Sequence, residues 1–426
     1  MRPPRALPFR LPSRRTVAAL SCAVFTAGSA VAVAAAGPAE GAAPRVVARP
    51  HIEIARFAPT GSLTVQWRGN GHGHGLSQYG ARGAALKGLS AKQILAFYYP
   101  HTTLTQIAPS WIRVKLSNSA AARTTVLANV AGLSLSGVGT LPGSGYRQFR
   151  LVPSGSGLAV QGLTSRGSWK TLHTGLGSRA DFSSPSNWVQ VVDSDGSSIR
   201  YRGTVGAVRS GSGELTINRT RLDYYVEGVV AQEVPSSWPA AAVQAQAVAA
   251  RSYAEAVRST AGSSPYDICD TTACQAYGGT AGYDGSGNLL WTDNRAAVVG
   301  NQRTVLRYRG GPVLAQYSAS NGGATVDGGL PYLVARTDPY DTSASGDPYL
   351  DESERVQAAA LAKAYGLKSV SSVQVTKRDG YGPWGGRIVS AYVNGTKYSG
   401  AAAHIATTGF DLGSAVGLWT DYLRIG

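Results

Sequence analysis

The sequence predicts an α+β protein, mainly antiparallel β with a few packed helices. Three observations carry that expectation. Short alternating runs rich in β-branched residues, punctuated by Gly and Ser, fill residues 111–187 and recur toward both ends of the chain. Two consecutive segments, 222–233 and 239–258, instead repeat apolar residues at helical spacing. The composition is that of a folded chain: 426 residues, 43% hydrophobic, with 53 glycines and 21 prolines, short of the roughly 25–30% Gly plus Pro that marks low-complexity sequence.

Charged residues make up only 15%, against about 25% in ordinary domains. The surface is therefore largely Ser, Thr, Gly, Gln and Tyr, which suits a polyol or sugar ligand better than a duplex. The net charge of +16 comes mostly from arginine, whose planar fork matches carboxylates and phosphates. That excess either is diffuse or answers an anionic partner. The sequence presents no basic stripe interleaved with aromatics, so no nucleic-acid partner is expected.

Along the chain, residues 1–15 hold five arginines and no acid, and residues 16–36 are almost wholly small or apolar. This is an export signal, with Arg14-Arg15 in the manner of a twin-arginine address and small residues for cleavage between Ala36 and Ala43. A retained N-terminal membrane anchor is the alternative, because such a run is long enough to span. Cleavage after residue 43 removes five arginines and Glu40 and leaves +12. Cys22 falls in the leader. The mature chain then has Cys269 and Cys274, which outside the cytoplasm read as a disulfide.

A Pro/Ala/Gly linker follows, then a strand at 62–67 that runs into Gly69-Asn70-Gly71-His72-Gly73-His74-Gly75, too glycine-rich for regular structure. Helices are expected at 76–86 and from Ser90 to Pro100. Segments 188–192, 199–208 and 214–218 read as a meander. Leu222, Tyr225, Val226, Val229 and Val230 then mark an amphipathic helix stopped by Pro235. Ser237 and Pro239 open the next, with Val243, Ala247, Ala250, Ala254 and Val257 inward. A further helix is expected at 353–365, and strands at 387–393 and in the last ten residues.

Glu233 extends the apolar stripe of 222–230 by three places. A carboxyl on that face, next to the break at Pro235, is desolvated, which raises its pKa toward that of a general acid near neutral pH. The alternative is a structural ion pair with Arg251 or a cap on the Ser236/Ser237 amides. Glu227 falls off the stripe and reads as solvated. Trp238 favours the functional reading, since sugars stack on aromatics.

The run Leu222-Asp223-Tyr224-Tyr225-Val226-Glu227-Gly228-Val229-Val230-Ala231-Gln232-Glu233-Val234-Pro235-Ser236-Ser237-Trp238-Pro239, continuing Ala245-Gln246-Ala247-Val248-Ala249-Ala250-Arg251-Ser252-Tyr253, resembles the signature of the stage II sporulation protein D / LytB amidase enhancer family. Blocks at 267–277, 317–325 and 331–341 are similar to that family's later blocks. Its Gly-His-Gly-x-Gly-x-Ser-Gln-Tyr-Gly-Ala block is present at 71–81, followed by Tyr98-Tyr99-Pro100, but stands first in the chain where the family usually has it last, as in a circular permutant. The implied organisation is a signal peptide or anchor at 1–36, a linker at 37–55, the permuted block at 56–106, a β-rich segment at 107–187 and the SpoIID/LytB-like core at 188–426.

The resemblance implies an exported lytic transglycosylase that cleaves MurNAc–GlcNAc bonds of denuded peptidoglycan strands, with Glu233 as the single acid/base. The alternative is a non-catalytic, wall-binding enhancer of a separate cell-wall amidase. By the family pattern His72, Gln78 and Tyr79 line the cleft or orient Glu233, while His74 occupies a variable place. Trp238, Arg251, Tyr253, Gln275, Tyr277 and Tyr317 are further groove candidates that could equally be core packing. Asp338 and Asp341, the carboxylates a hydrolase would need, sit beside Pro339 as turn residues. Some relatives bind zinc near the cysteine block, but Tyr266 and Ala273 stand where the extra histidines fall, so no cofactor is expected and Cys269–Cys274 is read as a disulfide.

Overall fold

The computed structural model describes residues 53–57, 61–117 and 123–425. The expected signal and all of the linker except 53–55 lie outside the described residues. Among the described residues no helix is long and apolar enough to cross a membrane. The architecture is α+β, with strand pairs mostly antiparallel.

The β-rich middle of the chain folds into an eight-stranded and a seven-stranded sheet whose apolar faces share one core. Val126, Phe149, Leu151, Val160 and Val189 come from the first sheet, and Ile112, Val114, Phe182, Val205 and Ala207 from the second. Strands Trp188–Val192 and Ser198–Arg202 belong to the first, whereas Thr204–Ser210 and Gly213–Arg221 belong to the second. The expected meander is thus divided at Gly203. That residue has φ +84, and a Cβ there would lie 2.2 Å from the Arg219 carbonyl oxygen. Only glycine turns this corner.

The first helix, α1 (Gln78–Leu86), is capped by Ser77, whose hydroxyl accepts from the Gly80 amide; α2 (Ala91–Tyr98) opens on a capping box between Ser90 and Gln93. α3 (Leu222–Glu233) buries all five residues of the expected stripe. α4 (Ala240–Thr260) is capped by Pro239 without a side-chain bond, so Ser237 does not serve as its cap. Its buried alanines let it pack closely against α1, α2 and α3.

A second core gathers around the sheet Glu53–Arg56, Ser369–Arg378, Ile388–Thr396 and Ala402–Thr407. Here the expectations need correction. Residues 53–55, expected as linker, form an edge strand. The helix expected at 353–365 is the strand Glu352–Gln357 followed by α5 (Ala358–Ala364), because 352–357 pairs residue for residue with Ser62–Trp67 of the strand Ser62–Arg68. Among the described residues of the last ten, only Tyr422–Ile425 is strand, paired antiparallel to the same Ser62–Arg68.

Candidate active site

Glu233 ends α3, one residue before the chain turns extended at Val234. The helix stripe aims its side chain inward, and the residue as a whole is half-buried. Three donors hold it. Gln78 Nε2 donates to Oε2 at 3.1 Å, and the Ala276 amide and the Tyr317 hydroxyl donate to Oε1 at 3.3 and 3.2 Å. Desolvation pushes the carboxyl pKa above its ordinary value, and the three hydrogen bonds, which favour the charged form, pull it partly back. Among the described residues, none of the groups that shift it is a carboxylate.

Gln78 and Tyr317 meet at Glu233 because the short strand Leu76–Ser77 pairs in parallel with Tyr317–Ser318. The glycine run before it makes this docking possible. Gly69, Gly71, Gly73 and Gly75 all have positive φ. At Gly75, φ is +65 and a Cβ would lie 2.2 Å from the Gln316 carbonyl oxygen. Behind Tyr317 a relay continues: Gln275 Nε2 donates to the Tyr317 oxygen at 2.9 Å, and the Tyr225 hydroxyl donates to Gln275 Oε1 at 3.0 Å. This chain fixes which way the Tyr317 O–H points.

From Tyr79 on α1 runs an aromatic wall. Tyr79, next to Gln78 on α1, lies 5.0 Å from the Trp238 ring and 6.0 Å from Tyr349, and Tyr349 lies 6.4 Å from Trp67. The Arg82 guanidinium sits 5.4 Å from the Trp238 ring. Trp238 and Tyr349 are both partly exposed. Such rings offer apolar faces with polar edges, the surface a sugar ring uses.

The structure therefore brings together Glu233, Gln78, Tyr317 and Gln275, with Tyr79 and Trp238 alongside. Other candidates lie elsewhere. Arg251 is fully buried and pairs with Asp223, its Nε 2.8 Å from Oδ1, so it neither lines a groove nor pairs with Glu233. Tyr277 is a core ring that donates to Asn218 Oδ1 at 2.9 Å. Tyr253 packs on the main core. His72 is exposed on the glycine loop, its Nδ1 accepting from the His74 amide at 3.0 Å.

Asp338 accepts from the Tyr98 hydroxyl, the Asn321 side chain and the amides of Tyr340 and Asp341, and Asp341 accepts from Ser77, Ser320 and the Asn321 amide. Both are buried. Burial, then the neighbouring Asp347, raises the pKa of Asp341, and its bond from Ser77 ties the start of α1 to the 320–341 loop. Cys269 and Cys274 are joined in a disulfide, Cα to Cα 5.6 Å. They are not thiolates, so a zinc ion does not fit this donor set.

Sequence reasoning missed Arg82, Tyr349, Trp67 and the Ala276 amide; the last followed Gln275 directly, while the others carried no signal. It also misplaced Glu227, which is buried rather than solvated. The segment after Tyr277 packs over that side of α3, where Gly279 backs Gly228. Burial is the chief force lifting Glu227 to about 7.

The family model described as stage II sporulation protein, SpoIID, matches residues 210–308. A protein of Bacillus subtilis (strain 168) named amidase enhancer is 37% identical over 123 residues, 27% of this chain and 15% of that protein. Stage II sporulation protein D of the same organism is 27% identical over 202 residues, 43% of this chain and 57% of that protein. An uncharacterized protein of Brachyspira hyodysenteriae (strain ATCC 49526 / WA1) is 30% identical over 128 residues, 30% of this chain and 33% of that protein. The chain thus spans less than two thirds of each of these relatives.

Proposed function

From a chain whose residues 210–308 carry the stage II sporulation protein domain, we propose an extracytoplasmic lytic transglycosylase acting on denuded peptidoglycan strands. The observation that carries this reading is the carboxyl of Glu233, raised in pKa by desolvation and held by three donors, with no carboxylate among the described residues that shift it. Hydrolysis by either standard route needs two carboxyl groups about 5–9.5 Å apart across the bond. Intramolecular transfer needs one group that gives a proton and takes another back.

Glu233 protonates the glycosidic oxygen as the bond from the muramoyl C1 breaks. The muramoyl 6-hydroxyl attacks C1, and its proton returns to Glu233, leaving a 1,6-anhydro end and restoring the acid. Gln78, Tyr317 and the Ala276 amide position the carboxyl and receive it when charged. Trp238 and Tyr79 supply the stacking face for the strand. In this reading Gln275 is a positioning residue acting through Tyr317.

A second reading, a non-catalytic amidase enhancer with a cell-wall amidase as partner, draws support from the name of the 37% identical relative. Incubating the protein with denuded strands and analysing the ends by mass spectrometry tests the two. Anhydro ends support the transglycosylase. Reducing ends, or intact strands that nevertheless co-sediment with the protein, overturn it.

A further inference from the structure

A cavity of about 460 Å³ opens at the opposite end of α3 from Glu233, walled in part by Trp111, Asn187, Arg221, Asp223, Tyr224 and Arg303. Its size falls within the roughly 300–1,000 Å³ of small-ligand sites. Tyr224 and Glu233 stand nine residues apart on one helix, about 14 Å along its axis, so the cavity is separate from the acid.

Its chemistry is distinctive. Trp111 is 42% exposed. Arg221 faces it directly across an antiparallel strand pair, and the guanidinium carbons of Arg219 and Arg221 lie 4.9 and 5.5 Å from its ring centroid. The acid in the wall, Asp223, is already paired, its Oδ1 accepting from the buried Arg251 Nε at 2.8 Å and the Arg303 amide at 3.1 Å. Among the described residues Arg219, Arg221 and Arg303 have no acidic partner. Arginine stacking continues beyond the rim, with Arg202 4.7 Å from the Tyr224 ring and Arg200 4.0 Å from Trp188. The fold thus brings together a basic and aromatic surface that the linear sequence did not display.

We propose that this cavity binds an anionic glycan, Trp111 taking a sugar face and the forks of Arg221 and Arg303 taking its carboxylate or phosphate. An indole stacked with guanidinium groups that have no acidic partner suits a ligand that is at once a ring polyol and an acid. The inference does not depend on Glu233 acting as an acid.

The test is calorimetric titration of the full chain carrying Glu233→Gln, so that no strand is consumed. The probes are denuded MurNAc–GlcNAc strands, the same strands after carboxyl reduction, a hexosamine phosphate polymer and duplex DNA. Trp111→Ala and the double change Arg221→Ala/Arg303→Ala are expected to weaken binding of an anionic glycan about tenfold or more, as loss of charge-assisted bonds does. The carboxylated strand or the phosphate polymer, whichever depends on these side chains, identifies the source. Trp238→Ala, which alters the aromatic wall that runs from Tyr79, should leave the cavity's share of binding in place. Unchanged affinity in the cavity variants, equal dependence with carboxyl-reduced strands, or tighter cavity-dependent binding of DNA would overturn the proposal.

Discussion

Tyr317→Phe keeps the ring in its packing and deletes one of the three donors to Glu233. The lost bond runs from the Tyr317 hydroxyl to Oε1 at 3.2 Å. Hydrogen bonds to charged groups contribute about 1.5–3 kcal/mol net, and this long one belongs at the lower end. Gln275 Nε2 loses the same oxygen but keeps the Ala250 carbonyl at 3.3 Å. Because the bond favours the ionised carboxyl, its loss raises the pKa of Glu233 further, by about one unit at 1.36 kcal/mol per unit. Initial rates of 1,6-anhydro product from denuded strands, measured from mildly acidic to mildly alkaline pH, report the shift. The alkaline limb of kcat/KM should move up by about one pH unit, while kcat falls because the carboxyl is less firmly aimed. An alkaline limb that stays in place or moves down would refute the assignment of Tyr317 as a donor to the working acid.

Glu227→Gln should stabilise the fold above neutral pH. Its folded pKa of about 7 exceeds the unfolded value of about 4.3, so the wild type loses up to a few kcal/mol as pH rises between the two; urea unfolding at acidic and alkaline pH should show the variants converging at low pH. Gly75→Ala places a Cβ 2.2 Å from the Gln316 carbonyl at φ +65, and should cost more than about 1 kcal/mol in thermal unfolding while separating Gln78 from Glu233. Replacing Cys269 and Cys274 together by Ser opens a loop with a sequence separation of 5, worth about 2 kcal/mol in the chain-entropy account. Because that loop leads into Gln275 and Ala276, activity should fall more steeply with temperature than in the wild type.

Helical periodicity placed Glu233 on the buried face of α3, since that face is written in residues only a few positions apart. The same reasoning misread Glu227, because periodicity reports one covered face and α3 is covered on two. The contact of Gln78 and Tyr317 with Glu233 rests on a parallel pairing between segments about 240 residues apart in the chain, and the quoted motifs suggested only that both belong to the site. Arg251 shows the reverse failure: an arginine inside a recognisable signature looked like a cleft residue and is a buried partner of Asp223. The division of the β-rich segment into two sheets was hidden because a strand pattern does not say which sheet a strand joins, and 199–208 read as one strand straight through Gly203, where the structure breaks it into Ser198–Arg202 and Thr204–Ser210. The helix expected at 353–365 shows long-range pairing overriding local pattern, with Ser62–Arg68 drawing 352–357 into an extended partner.

The central claim is tested most directly by comparing wild type with Glu233→Gln on denuded strands, with mass spectrometry of the ends and thermal unfolding of both proteins. A glutamine can be held in the same place, its oxygen taking the bonds from Ala276 and Tyr317 while the Gln78 amide turns to accept from its nitrogen. The substitution also removes a desolvated charge, whose cost to the wild type grows as pH rises from the ordinary carboxyl range through the raised folded pKa. The account predicts a variant at least as stable as wild type at neutral pH that forms no 1,6-anhydro ends. Anhydro ends at an undiminished rate from the folded variant would contradict it.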